Sequence, residues 1–418
     1  MSTIQFITMI VNYVAWYIFV FIAVMWMLVL FNYGEKFKVE KHKKPKKLPT
    51  VSILVPAHNE EKNIEMTLNS LLNLKYPKGL LEIIVIDDAS TDRTIEIVKN
   101  FRGVKLIRNK KNMGKAYSLN KALKIAKGEI IACIDADSFV ERDILIKMVG
   151  DFEDPKVASV TPALKVFKPR TFLEKIQATE YLLNIFLRKS LDAIDAIHVT
   201  PGVFSLYRKK VLEEIGGFDE DNLTEDMEIA LRIQNAGYKI TNKLDAVSYT
   251  LCPPNLRSLF KQRLRWYRGA LQNTAKYKHM LFKPHYGNLG VFLLPFNFIS
   301  IMAVIAIFLL MLWNFADSIW KFLWQMHLIN WDFMIFFRDM KIDLENFMLN
   351  TMTTPTIFML IGMLLGSYLL LKSFNVSQEK FRLHKLGYFT YLIIYPLIMM
   401  VFWFTAMICE IFRVKRKW

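Results

Sequence analysis

Acidic residues recur where the chain leaves three runs of β-branched and aliphatic residues. They are Glu60 and Glu61, Asp87 and Asp88, and Asp135 and Asp137. Carboxylates gathered at one place repel one another unless hydrogen bonds or a cation neutralise them. Mg²⁺ and Mn²⁺ suit such a place, because they take one or two carboxylates together with oxygen atoms of a bound phosphate. The pattern predicts a divalent metal held by Asp135 and Asp137, whereas a single aspartate such as Asp92 is better explained as a helix cap.

A further carboxylate, Asp226, follows Thr224 and Glu225. We expect Thr224 to cap a helix over residues 225–234, with Glu225 as a possible alternative cap partner. Asp226 then lies in the first helical turn and faces a cleft, where it can accept a proton from an attacking hydroxyl group. The alternative is that Asp226 only complements the positive end of the helix dipole.

Strand and helix patterns alternate between residues 50 and 134. Expected strands are 51–55, 82–86, 104–107 and 129–134, and expected helices are 62–74, 91–99 and 115–126. This alternation is typical of an α/β domain with a mostly parallel sheet and helices on both faces. In such sheets ligands bind outside the carboxyl ends of the strands, which is where the acidic residues lie.

Apolar runs long enough to cross a membrane flank this region. The chain has 418 residues and is 53% hydrophobic, yet 22% of it is charged, so the two characters must be segregated. One uncharged run covers residues 10–31, and others cover residues 291–313, 357–371 and 388–411. Roughly 20 apolar residues span the hydrocarbon core as a helix. Pro396 would bend the last run into a re-entrant shape, or residues 319–337 would form a further span.

Basic residues crowd directly behind the first apolar run. The formal net charge is +17, and seven lysines lie within residues 36–47. Lysines beside a span mark the cytoplasmic side and contact anionic lipids, so their position argues for membrane contact and against nucleic acid. Three cysteines without paired or metal-ligand spacing fit a reducing compartment.

Residues 256–265 form a basic amphipathic pattern that ends at Trp266, and residues 171–191 form a second amphipathic stretch. Both suit the membrane interface, where apolar side chains enter the lipid boundary and basic side chains remain in water. By composition alone, Trp266 is an interfacial anchor.

Taken together, these motifs resemble the family 2 glycosyltransferases with the GT-A fold, among them the membrane synthases of cellulose, chitin, hyaluronan and poly-N-acetylglucosamine. The similarity extends from about residue 50 to residue 269. The matching segments are residues 51–60, 87–92, 112–120, 135–137, 224–226 and 262–266, the last being a QxxRW motif.

The resemblance implies a role for each matching residue. Asp226 is the expected catalytic base, and Asp135 and Asp137 the expected ligands of Mg²⁺ or Mn²⁺. Expected donor-binding residues are Pro56, Ala57, Asn59, Glu60, Asp88, Lys115, Asp135, Gln262 and Arg265. Expected acceptor-binding residues are Gly202, Glu225 and Trp266, whose indole ring would stack on the acceptor sugar.

The expected organisation is an N-terminal transmembrane anchor (1–34), a cytoplasmic catalytic domain (35–253), an interfacial region with the QxxRW motif (254–290) and a C-terminal transmembrane region (291–418). The expected function is inverting transfer from a nucleotide sugar, expected to be a UDP-sugar, to a growing β-linked polysaccharide at the cell membrane, with coupling to export as a further expectation. Two alternatives are transfer of one sugar to a lipid acceptor and a non-catalytic subunit with a decayed transferase domain. The second conflicts with the retention of Asp88, Asp135, Asp137, Asp226 and Trp266.

Overall fold

The computed structural model describes residues 3–38, 45–334 and 354–414. Its centre is an eight-stranded sheet in the order β3-β2-β1-β4-β7-β6-β8-β5. The strands are β1 (Val51–Ala57), β2 (Leu81–Asp87), β3 (Val104–Arg108), β4 (Ile130–Ile134), β5 (Ser138–Val140), β6 (Val157–Val166), β7 (Val203–Arg208) and β8 (Lys239–Thr250).

The first four strands are parallel, as the alternation predicts. Their side chains alternate between two apolar clusters, with Ile53 and Val55 in one cluster and Leu54 in the other. Both faces of these strands are therefore covered, which explains why their sequences are continuously apolar. The expected α/β class with a mostly parallel sheet is confirmed.

Strand β7 interrupts the parallel order and positions the site. It runs antiparallel to both β4 and β6. The loop that enters β7 consequently lies beside the loop that leaves β4, and the N–H of Asp135 donates to the carbonyl oxygen of Gly202 at 3.1 Å. This pairing brings two segments that are far apart in sequence to one edge of the sheet.

The helices surround the sheet and extend beyond it. They are α1 (Thr3–Asn32), α2 (Ile64–Leu72), α3 (Thr94–Lys99), α4 (Lys115–Leu123), α5 (Ile144–Met148), α6 (Phe172–Ala193), α7 (Lys209–Glu214), α8 (Glu225–Asn235), α9 (Leu256–Lys276), α10 (Leu294–Leu328), α11 (Thr354–Val376), α12 (Lys385–Ile393) and α13 (Tyr395–Ile411). The helices predicted from the sequence lie at α2, α3, α4, α6, α8 and α9. The predicted cap Asp92 accepts the N–H of Thr94, the first residue of α3, at 3.0 Å.

In the part of the chain that the structure describes, three helices are long and apolar enough to cross a membrane, namely Met9–Asn32, Leu289–Leu328 and Thr356–Val376. Helices α12 and α13 meet at an angle of 51° and would add a fourth, broken span. The bend lies beside Pro396, where the sequence predicted it, because proline cannot donate a helical hydrogen bond. The alternative span over residues 319–337 and the basic cluster over residues 36–47 lie partly outside the described residues.

Two long helices join the sheet to the apolar helices. Helix α6 begins with a capping box between Thr171 and Glu174. Helix α9 packs against α13, where the ring of Tyr267 stacks on Trp403 with centroids 4.2 Å apart. The α9 residue Arg268 also pairs with Glu410 of α13 at 2.5 Å. The amphipathic helix α9 is therefore fixed between the sheet and the apolar helices.

Candidate active site

A cavity of about 680 Å³ lies where the loops after β4, the loop before β7 and the helices α6, α8 and α9 converge. Nine residues that were predicted to bind donor, acceptor or metal or to act in catalysis line it: Lys115, Asp135, Asp137, Gly202, Glu225, Asp226, Gln262, Arg265 and Trp266. Pro201, next to Gly202, lines it as well. The fold thus gathers motifs that span 150 residues of sequence around a single space.

Lys115 is the central cation at the sheet end of the cavity. Its Nζ atom lies 2.5 Å from Oδ1 of Asp135 and 2.8 Å from Oε1 of Glu225. Burial alone would lower the pKa of Lys115, but these carboxylates hold it well above its ordinary value. Lys115 therefore remains charged and ties the β4 loop to the start of α8.

Gly202 lies directly against this ion pair. A Cβ atom at position 202 would collide with Nζ of Lys115 and would come within 3.0 Å of Oδ2 of Asp135. Glycine at this position allows the loop before β7 to approach the pair closely. Gly202 lines the cavity, and its predicted part in acceptor binding stays a prediction.

The carboxylate of Asp137 has few polar partners. Ser138 donates its hydroxyl to Oδ1 of Asp137 at 2.9 Å. Burial, reinforced by repulsion from Asp135, raises the pKa of Asp137 to about 6. Repulsion from Asp135 disfavours the charge of Asp137, and a divalent cation between these two half-buried carboxylates would relieve it.

Within the described residues, no group of three or more His, Cys, Asp or Glu side chains is arranged to hold a metal. The candidate metal ligands at this edge are therefore two carboxylates, those of Asp135 and Asp137. Mg²⁺ and Mn²⁺ commonly bind to one or two carboxylates and complete their coordination with substrate phosphate and water. The residues fit an ion that binds together with the donor.

Asp226 lies in the first turn of α8, at the wall of the cavity. Its Oδ1 atom accepts the N–H of Met227 at 2.9 Å, and its carbonyl oxygen accepts the hydroxyl of Thr200 at 2.9 Å. Burial and the nearby charge of Glu225 raise the pKa of Asp226 to about 6. A carboxylate with this pKa is a better proton acceptor than an ordinary aspartate and is still ionised at neutral pH.

The sequence predicted that the side chain of Thr224 caps α8, and this prediction is wrong. Thr224 occupies the N-cap position, but its side chain makes no capping hydrogen bond. Its Oγ1 atom instead accepts Nδ2 of Asn273 on α9 at 3.0 Å. Glu225 is not the alternative cap partner either, because it pairs with Lys115. Contact with α9 outweighs the local capping preference, and this contact joins the base motif to the QxxRW helix.

Helix α9 supplies Gln262, Arg265 and Trp266 to the cavity wall. Arg265 donates to the carbonyl oxygen of Leu223 at 3.1 Å, beside the start of α8. Trp266 packs against Leu164, Tyr181 and Val203. Its indole therefore belongs to the cavity wall, in contrast to the anchor that composition alone suggests. Its predicted stacking on an acceptor sugar stays a prediction.

Five predicted donor-binding residues do not line this cavity: Pro56, Ala57, Asn59, Glu60 and Asp88. Asp88 has a clear structural task, because its carboxylate accepts Nδ2 of Asn109 at 2.8 Å and the N–H groups of Met113 and Gly114 at 2.9 and 2.7 Å. These bonds hold the loop that leads into Lys115. The donor-binding roles of the five residues stay predictions.

Sequence reasoning missed the importance of Arg263, the middle of the QxxRW motif. Its side chain is fully buried, lies 2.6 Å from Oε2 of Glu180 on α6 and donates to the hydroxyl of Tyr395 on α13. Its guanidinium group also covers the ring of Trp266, 4.1 Å from the centroid. The only signal in the sequence is an arginine within an amphipathic helical pattern. This pattern does not reveal that the arginine is buried, because its partner Glu180 is 83 residues away in sequence.

Comparisons with known proteins agree with this geometry. Residues 52–216 match the family described as "Glycosyl transferase family 2". This segment is a family 2 glycosyltransferase domain. It contains segments predicted to bind the donor and the metal, and the predicted resemblance to this family is confirmed.

Relatives of the glycosyltransferase domain include the poly-beta-1,6-N-acetyl-D-glucosamine synthases of two staphylococci. The chain is 33% identical over 261 residues to that of Staphylococcus aureus (strain COL), covering 60% of this chain and 63% of the relative. It is 35% identical over 224 residues to that of Staphylococcus epidermidis (strain RP62A), covering 52% and 54%. The chain thus matches less than two thirds of these relatives' length.

A solved structure extends the similarity in fold beyond the glycosyltransferase domain. The mannosyltransferase PcManGT from Pyrobaculum calidifontis, in complex with GDP-Man and Mn²⁺, superimposes with a TM-score of 0.60 over 98% of both chains at 21% identity. Its likeness supports the fold alone, and the predicted GT-A fold is confirmed.

Proposed function

We propose that the chain transfers a sugar from a nucleotide sugar to a growing β-linked polysaccharide at a membrane. The observation that carries the proposal is the single cavity that joins Asp135 and Asp137, Asp226 and Trp266. The relatives named as poly-beta-1,6-N-acetyl-D-glucosamine synthases support a polysaccharide product. Lys115, Gln262 and Arg265 provide the positive and hydrogen-bonding groups that a nucleoside diphosphate needs.

In the proposed reaction, the acceptor hydroxyl oxygen forms a bond to the anomeric carbon of the donor while the bond from that carbon to the diphosphate oxygen breaks. Asp226 accepts the hydroxyl proton, and the nucleoside diphosphate leaves with the electron pair. One displacement at the anomeric carbon inverts its configuration. A single base on the acceptor side is sufficient for this reaction.

Asp135 and Asp137 would hold Mg²⁺ or Mn²⁺, and the ion, when bound, would stabilise the negative charge of the departing diphosphate. The Mn²⁺ in the PcManGT complex supports this assignment. Lys115 keeps Asp135 in place, and Arg265 lies close enough to Glu225 and Asp226 to stabilise both charges. Lys115 and Arg265 thereby hold Asp135 and the start of α8, with Asp226, at the wall of one cavity.

The catalytic domain would face the cytoplasm at the cell membrane, because the lysines of residues 36–47 directly follow the first apolar helix. Residues 1–34 would form the anchor, residues 254–290 the interfacial region, and residues 291–418 the C-terminal membrane region. Cleavage by added protease in inverted but not in right-side-out vesicles tests this orientation.

Transfer of one sugar to a lipid is a second candidate, favoured by one observation. The cavity is also lined by Trp26 of α1, Phe296 of α10 and Trp403 of α13, all on helices of the apolar region. An acceptor that is part hydrocarbon would reach the base from that side.

A donor panel separates these functions. The purified full chain is incubated with UDP-sugars and GDP-sugars in the presence of Mn²⁺, and both the released nucleoside diphosphate and the product length are measured. A ladder of long products supports the polysaccharide, and a single added sugar supports the lipid. Absence of nucleoside diphosphate release with every donor and acceptor would overturn both.

A further inference from the structure

Helix α6 presents an unexplained cation to the cavity. Residues Tyr181, Asn184 and Arg188 lie three and four positions apart and therefore share one helix face, and all three line the cavity. The Nη1 atom of Arg188 is shielded from solvent and has no hydrogen-bond partner within the described residues. Among the described residues, no carboxylate lies within ion-pair distance of Arg188, although the charge of Asp226 attracts it across the cavity.

His198 lines the same part of the cavity, on the segment between α6 and β7. Its Nδ1 atom is also buried and has no hydrogen-bond partner within the described part of the chain. Burial, reinforced by the positive charge of Arg188, lowers the pKa of His198 to about 4. The imidazole is therefore neutral at physiological pH and offers one N–H donor without adding charge.

The cavity continues from these residues to the apolar helices. Its wall there is mostly apolar: besides the polar residues Asn297 and Ser300 of α10, it contains Trp26 of α1, Leu293, Phe296, Ile301 and Val304 at α10, and Trp403 of α13. A ligand that fills the whole space is therefore polar beside Asp226 and apolar between the helices. Arg188, whose Nη1 atom has no hydrogen-bond partner within the described residues, lines the same cavity.

We propose that Arg188 and His198 form a subsite for the phosphate of a lipid-linked acceptor, whose hydrocarbon chain lies between α1, α10 and α13. The subsite rests on the proposed sugar transfer, and it assigns the acceptor class. A buried guanidinium nitrogen without a partner, such as Nη1 of Arg188, is unfavourable, and a phosphate oxygen satisfies it with a charge-assisted hydrogen bond. The donor diphosphate has its own groups at the opposite end, namely Lys115, Gln262 and Arg265.

A neutral lipid does not explain the same features. Its headgroup would leave Arg188 without a counter-charge, and its hydroxyls would be served equally well by asparagine or glutamine. A soluble phosphate explains Arg188 and His198 but leaves the apolar wall uncovered. A phosphate attached to a long hydrocarbon accounts for both ends.

Binding tests the subsite without requiring turnover. Farnesyl phosphate, farnesol and inorganic phosphate are titrated separately into the detergent-purified full chain by calorimetry. We expect farnesyl phosphate to bind at least about tenfold more tightly than either of the other two, since it gains both the charged contacts and the apolar burial. Equal affinity for farnesyl phosphate and inorganic phosphate would replace the lipid by a soluble anion and overturn the assignment.

Variants locate the contact. Arg188→Gln should remove the preference for farnesyl phosphate over farnesol, Arg188→Lys should retain part of it because a point charge remains, and His198→Gln should reduce it less. Lys175→Gln is the matched control, since it removes a positive charge from an exposed position of the same helix. Preference retained in a folded Arg188→Gln chain would refute the subsite.

Acceptor kinetics then connect the subsite with transfer. A polyprenyl-phosphate-linked saccharide and an uncharged alkyl glycoside of the same sugar serve as acceptors. Arg188→Gln should raise KM about tenfold for the first and should change KM for the second much less. A wild-type chain that binds farnesyl phosphate but releases no nucleoside diphosphate would contradict the proposed function alone. A chain that transfers sugar to both acceptors with equal KM would contradict the subsite alone.

Discussion

At the sheet end of the cavity Lys115 contacts both Asp135 and Glu225. At the membrane end, by contrast, Nη1 of Arg188 and Nδ1 of His198 are buried without a hydrogen-bond partner among the described residues. In the first arrangement Lys115 and its two carboxylates are paired with one another before any substrate binds. Fixed dipoles and charges of this kind stabilise a transition state without reorganisation. The second arrangement is completed by a ligand. The sheet end therefore suits chemistry, and the membrane end suits recognition.

The largest expected effect comes from removing Asp137 at the sheet end. Asp137→Ala should reduce transfer to background, because the ion that stabilises the leaving diphosphate would lose a ligand. The thermal unfolding temperature should change little, since the carboxylate contributes no apolar packing. Nucleoside diphosphate release, measured with Mn²⁺ and with EDTA, checks this prediction. Full wild-type activity in EDTA would exclude a metal.

Asp226→Asn should lower turnover by about 10²- to 10⁴-fold while donor binding survives, because the amide is nearly isosteric but cannot accept the proton. The wild-type rate should also fall as the pH decreases through about 6, since the raised pKa of Asp226 means that the protonated, inactive form accumulates there. Saturating Mn²⁺ keeps the metal ligands ionised during the pH series. A joint collapse of nucleotide affinity and turnover would make Asp226 a donor ligand instead.

Gly202→Ala should weaken donor binding about tenfold without unfolding the chain. The added methyl group displaces the flexible end of Lys115 and thereby breaks its charge-assisted contact with Asp135. The KM for the donor, compared with the unfolding temperature, measures this effect. Gly79→Ala is the control, because no atom lies within 4 Å of its added methyl group. An unchanged KM in Gly202→Ala would separate Lys115 from donor binding.

The smallest effect is expected for Trp266, which lies between the two ends. Trp266→Ala should lower transfer to the acceptor by about fivefold, while hydrolysis of the donor by water persists, since a sugar would lose an aromatic face worth about 1 kcal/mol. Trp266→Phe should recover part of the transfer. Equal loss of transfer and hydrolysis in both variants would argue against an acceptor platform.

Much of the sheet end could be predicted from the sequence, because strand and helix patterns place the acidic motifs at one edge by simple topology. The identity of the residues also points to their chemistry, as Asp135 and Asp137 illustrate. The antiparallel insertion of β7 could not be predicted, although it brings Gly202 to Lys115. That pairing depends on long-range hydrogen bonds, and no local pattern records it.

The polar groups at the membrane end of the cavity could not be predicted from the sequence for a different reason. Arg188 lies in an amphipathic stretch with charges of both signs, where an arginine normally remains in water. Only the packing of α6 against distant apolar helices buries it. Thr224 shows the same limit on a smaller scale, because a contact with Asn273 of α9 replaces the local cap.

Arg263 links the wall of the cavity to the apolar helices. It connects Trp266 with Glu180 and with Tyr395, which lies directly beyond the 51° bend between α12 and α13. We therefore expect lipids that change the tilt of α13 to displace Tyr395 and, through Arg263, the indole of Trp266 in the cavity wall. A fragment cut before α12 would lack Tyr395, so inhibitors selected on such a fragment would meet a deformed cavity wall. Screening should use the full chain in lipid nanodiscs whose thickness is varied.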